Sequence, residues 1–75
     1  MASLQPSRRY RIAGYQIGIG PAFRQRLFSM GLLPGAALLV KRIAPLGDPV
    51  QVETRQSSLV LRRKDLSLLQ LVLMD

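Results

Sequence analysis

Seventy-five residues with no cysteine and no histidine make one small domain that no disulfide, thiolate metal site or Ser–His pair can staple or activate. An apolar share of 48 % is enough for a packed core and argues against intrinsic disorder. Eleven Lys and Arg against four Asp and Glu, a net charge of +7, favour an anionic partner: nucleic acid, the inner face of a membrane, or an acidic protein surface.

No apolar run approaches the ~20 residues that would span a bilayer. The first ten residues lack the uninterrupted apolar segment of a secretion signal, so a cytosolic location is expected, with residues 1–8 as a loosely ordered tail. From Tyr10 to Tyr15 the chain alternates, Tyr10 and Ile12 on one side and Arg9, Arg11 and Ala13 on the other, which predicts a half-buried strand. Gly14, Gly18 and Gly20 then mark a flexible connection. Pro21 suits the first helical position, and Phe23, Leu27 and Met30 follow at i, i+4 and i+7 as the apolar stripe of a short helix. Arg24, Gln25 and Arg26 face away, and Phe28 lies off the stripe, either half-covered by the next loop or free for another protein.

Gly31 stands where a helix needs a left-handed residue to stop, and Pro34-Gly35 sets up a turn. Leu32 and Leu33 are too apolar for a solvated linker, so at least one packs back. Leu38 and Val40 then alternate with Leu39 and Lys41 toward Arg42 and Ile43. Ala44-Pro-Leu-Gly-Asp-Pro49 interrupts the pattern as a hairpin tip, since two prolines and a glycine fit neither a strand interior nor a helix. Val50, Val52 and Thr54 point inward on the returning strand. A polar turn over 55–57 precedes a strand with Leu59 and Leu61 inward. Residues 63–66 form a helical turn, and the last strand turns Leu69, Leu71 and Leu73 to the core and Gln70 outward. The whole reads as mainly β: a small five-stranded barrel, with one short helix after the first strand and a helical turn before the last.

The inventory of chemistry is nearly empty. No Gly-rich loop ends in Lys-Ser or Lys-Thr, so no P-loop is present. Asp48, Glu53, Asp65 and Asp75 have no spacing that predicts a shared site, and each is more simply a turn residue or a partner for Arg. No enzyme activity, cofactor or dedicated metal site is expected, although weak divalent binding at Asp48, Glu53 or Asp65 stays open. Binding is what remains. A nucleic-acid surface would interleave aromatics for base stacking, and the chain holds only Tyr10, Tyr15, Phe23 and Phe28. A proline-rich-peptide groove is lined by aromatics, and the chain has no Trp.

Three segments carry a resemblance: Arg26-Leu-Phe-Ser-Met-Gly-Leu-Leu-Pro-Gly35, Val40-Lys-Arg-Ile-Ala-Pro-Leu-Gly-Asp-Pro-Val50 and Ser58-Leu-Val-Leu-Arg62. In this order and spacing they resemble FeoA, the small ferrous iron transport protein of bacteria. The resemblance implies an SH3-like barrel in the cytosol that supports Fe(II) uptake through the FeoB permease, whose cytosolic GTP-binding domain or adjacent membrane elements it would contact. The expected docking surface is the tip, Pro45, Leu46, Gly47, Asp48 and Pro49, flanked by Arg42, with Arg24 and Phe28 on the helix. Weak contact with an anionic membrane beside the permease is a secondary expectation, oligomeric state is left open, and a small basic nucleic-acid-binding barrel is the competing reading.

Overall fold

The computed structural model describes residues 4–74. In chain order it contains β1 (Arg9–Tyr15), α1 (Pro21–Ser29), β2 (Ala37–Ile43), β3 (Val50–Glu53), β4 (Ser58–Leu61), α2 (Arg63–Leu66) and β5 (Leu69–Leu73). The strands form one antiparallel sheet in the order β4-β3-β2-β1-β5. One face of that sheet closes over a single apolar cluster that includes Tyr10, Ile12, Leu38, Val40, Val50 and Val52, with Leu27 from α1 and Leu66 from α2. The ladder does not run on from β4 to β5, so the closed barrel expected from the sequence is an open sheet. The chain crosses from one edge to the other through α2, and buried Leu66 packs where backbone pairing stops.

Two bulges make this sharing of one core work. In β1 the register shifts between Ile12, opposite Leu71, and Gly14, opposite Gln70. In β2 it shifts between Val40, opposite Val52, and Arg42, opposite Gln51. Strict alternation after Val40 would turn Arg42 inward and Ile43 outward. The extra residue resets the phase: Lys41 and Arg42 are both exposed, and Ile43 packs on the core. The same reset returns Tyr15 to the core side, where its hydroxyl donates to the Leu32 carbonyl at 2.7 Å.

Helix α1 ends as the sequence predicts. Gly31 adopts φ +86°, and the Leu32 N–H reaches back to the Leu27 carbonyl at 3.0 Å, a wrapped helix end that needs a residue tolerant of positive φ. That geometry turns Leu32 straight into the core, where it is fully buried. The Pro34-Gly35 turn follows, closed by the Ala36 N–H on the Leu33 carbonyl at 3.0 Å.

Two further expectations are corrected. Thr54 is not a core residue: its hydroxyl accepts from the Gln56 and Ser57 N–H groups and donates to the Ser57 carbonyl, which organises the β3–β4 turn. Leu73 is 47 % exposed, because β5 is an edge strand and its end runs past the rim of the core. Within the expected tail, residues 4–8 are tied down: Leu4 is buried, the Ser7 N–H donates to Val40, and the Val40 N–H donates to Arg8 at 3.0 Å. Residues 1–3 lie outside the described residues.

Two measurements check this account. Leu32→Ala should lower stability by about 2–5 kcal/mol, the range for a buried Leu whose cavity relaxes incompletely, seen as a lower urea midpoint. The Tyr15 hydroxyl is held neutral by burial, which raises its pKa above the ordinary value of 10.0, while Arg24 pulls the other way. The folded chain therefore holds this proton more tightly than the unfolded one. Its contribution is complete below about pH 10 and is lost as pH rises through the raised value. Tyr15→Phe should cost about 1 kcal/mol at neutral pH through the lost hydrogen bond and flatten the alkaline fall in urea midpoint.

Candidate functional site

The β2–β3 connection is an ordered knob. Within it the Gly47 N–H donates to the Ala44 carbonyl at 2.7 Å and the Ala44 N–H to the Pro49 carbonyl at 3.1 Å. The Asp48–Pro49 peptide is cis. Gly47 takes φ +89°, and the Arg63 guanidinium lies against it, donating to its carbonyl. Asp48 Oδ1 accepts the Arg63 backbone N–H at 2.9 Å.

That last bond has a structural purpose. The residue before α2, Arg62, gives no side-chain cap to the helical turn, so its first amides lack a local acceptor. Asp48, fifteen positions earlier in sequence, supplies one from across the fold. Its other oxygen lies 3.9 Å from exposed Arg62, a contact open enough to solvent to add little. The tip is thereby fastened at its base to the β4–β5 crossover, while Leu46 at its crest is 96 % exposed. Pro45 and Pro49 are exposed on either side of it.

The expected docking residues fall into two groups. Arg42, Pro45, Leu46, Gly47, Asp48 and Pro49 are together at the Ile43↔Val50 end of the β2–β3 ladder. Phe28, 51 % exposed, lines an open groove with Leu33, Leu39, Glu53, Thr54 and Met74, at the Leu39↔Glu53 end. Four residues of strand, roughly 13 Å, separate the two ends. Arg24 is exposed one turn before Phe28 on α1. Sequence reasoning joined helix and tip because both looked exposed, and pairing register is what parts them. It also passed over Ile17, fully exposed in the loop between β1 and α1, whose apolar side chain among glycines was the available signal. Among the described residues no three His, Cys, Asp or Glu side chains stand close enough to share a metal ion.

These features define a small SH3-like β domain whose presented groups suit contact with a partner. The FeoA domain family matches residues 1–72, and the chain belongs to that family. Among solved structures it is similar over its whole length to a protein of Pseudomonas aeruginosa, with 73 % identity, full coverage of both chains and a TM-score of 0.77. A FeoA protein from Chlorobium tepidum is 33 % identical over 96 % of this chain and 67 % of its own, with a TM-score of 0.82. The zinc complex of a Stenotrophomonas maltophilia FeoA, a prokaryotic SH3-domain protein, shares the fold at 18 % identity and a TM-score of 0.77, covering 92 % and 84 % of the two chains.

Removing the acceptor at the tip should loosen it from α2. Asp48→Ala should destabilise by about 0.5–2 kcal/mol, the usual cost of a lost helix cap, and speed hydrogen exchange at the Arg63 amide. Asp48→Asn keeps an acceptor oxygen and should lose less.

Proposed function

We propose that this chain is a non-enzymatic accessory of bacterial ferrous iron uptake, acting in the cytosol by contact with the cytosolic part of a FeoB-type permease. Family membership supports the iron-transport setting, and the Stenotrophomonas relative is described as a candidate activating factor for ferrous iron transport. The observation that carries the contact is Leu46, a large apolar side chain almost wholly in solvent on a tip whose base is fixed by Asp48 and Arg63. An isolated exposed leucine is ordinary; one held out on a stiff support is ready to enter a pocket with little ordering entropy to lose. Pro45 and Pro49 restrict the free loop in the same sense. Arg42 flanks this contact, and Arg24 and Phe28 offer a second, separate one on α1.

The test is co-purification of the chain with full-length permease in detergent. Burial of one leucine is worth about 1.5–3 kcal/mol, so Leu46→Asp, folded by circular dichroism, should weaken association by about 10- to 100-fold and lower Fe(II) uptake. Unchanged capture together with unchanged uptake would remove the tip from the interface. Sedimentation of the same variant separates this outcome from self-association through the tip.

A further inference from the structure

The face of the sheet turned away from the core carries a second surface. Arg9 and Arg11 on β1 and Lys41 and Arg42 on β2 are all exposed there. The bulge in β2 is what doubles the cations, since a regular strand would present only one of Lys41 and Arg42 on this side. Cross-strand pairing sets Arg11 beside Val72, and Arg9 beside Leu39, with Glu53 one strand further. Glu53 lines the same groove as Arg9, but among the described residues none of these four cations forms an ion pair.

We propose that this outer face binds the surface of an anionic phospholipid bilayer. Charge complementarity selects a polyanion, and the arrangement selects among polyanions. The face belongs to a sheet that wraps one core, so it is turned outward, with an open groove at its Leu39↔Glu53 end. Single-stranded nucleic acid needs a series of aromatic platforms beside the cations, and among the described residues Phe28 alone, in the groove it shares with Arg9 and Met74, is an exposed aromatic near this face. Tyr10 is buried, Tyr15 is bonded to Leu32, and Phe23 is half-buried on α1. What else stands beside the cations is aliphatic: Val72 is 44 % and Met74 52 % exposed, a composition suited to the headgroup boundary. Arg42 is common to this face and to the flank of the tip, so the test here uses Arg9, Arg11 and Lys41 and leaves Leu46 intact. Its failure and failure of the permease contact can therefore be told apart.

The experiment is vesicle flotation of the isolated chain at low salt. Vesicles of phosphatidylglycerol and phosphatidylcholine at about 3:7 are compared with phosphatidylcholine alone. Each cation near an anionic leaflet contributes about fivefold in binding, and that gain fades as salt screens it. The triple variant Arg9→Gln, Arg11→Gln, Lys41→Gln should therefore bind the anionic vesicles on the order of 10²-fold more weakly. A control triple with the same loss of charge, Arg24→Gln, Arg26→Gln, Lys64→Gln, should keep most of the binding. All six side chains are exposed, and circular dichroism is used to check that both variants fold. Equal loss in the two triples would reduce the effect to net charge and overturn the assignment of a face. So would flotation indifferent to phosphatidylglycerol, or base-dependent binding of single-stranded DNA oligonucleotides that the first triple abolishes.

Discussion

Everything in this fold rests on one apolar cluster that must be shared by five strands and two short helices. No disulfide supplements it, and a chain of this length buries a smaller fraction of its surface than a larger domain does. Each strand therefore has to keep its apolar side turned to the same centre, even where its sequence breaks step. The two bulges meet that requirement. They let β1 contribute both Ile12 and Tyr15, and β2 both Val40 and Ile43, although neither pair has the even spacing of a regular strand.

Much of this was legible beforehand, and the reasons are local. Gly31 and Pro34-Gly35 have few conformational options, so the end of α1 and the turn after it could be read from residue type alone. Apolar positions two apart on β1, β2 and β3 named Tyr10, Ile12, Leu38, Val40, Val50 and Val52 correctly, because alternation is a direct consequence of the pleat. The bulges were not legible, since nothing in Val40-Lys-Arg-Ile43 says which residue is the extra one until β3 is laid beside it. Thr54 continued the period but lies where the strand gives way to a turn, and its hydroxyl found backbone partners instead of the core. Leu73 continued the period too, past the point where anything packs above it.

The site shows the same division. The residues of the tip could be listed from their prolines and glycine, and their exposure is what such a segment suggests. The fastening of that tip could not be foreseen, because it joins Asp48 to an amide fifteen positions away, across a fold that only the sheet order reveals. Likewise, an exposed helix and an exposed tip look equivalent in one dimension, and only strand pairing shows that they sit at different ends of the molecule.

The bulge at Lys41-Arg42 also bears on how this chain can change length. Substituting either residue leaves the sheet's frame intact, because exposed positions accept many side chains. Deleting either one removes the extra residue: Ile43 then stands two positions from Val40, still inward and still opposite Val50, and a single cation is left on the outer side. The tip and its tie to α2, which lie beyond Ile43, keep their register. Elsewhere in β2 no spare residue absorbs such a loss, and a one-residue deletion there turns the apolar side of the strand beyond it to solvent. The bulge is therefore where this strand can shorten without losing its place in the sheet.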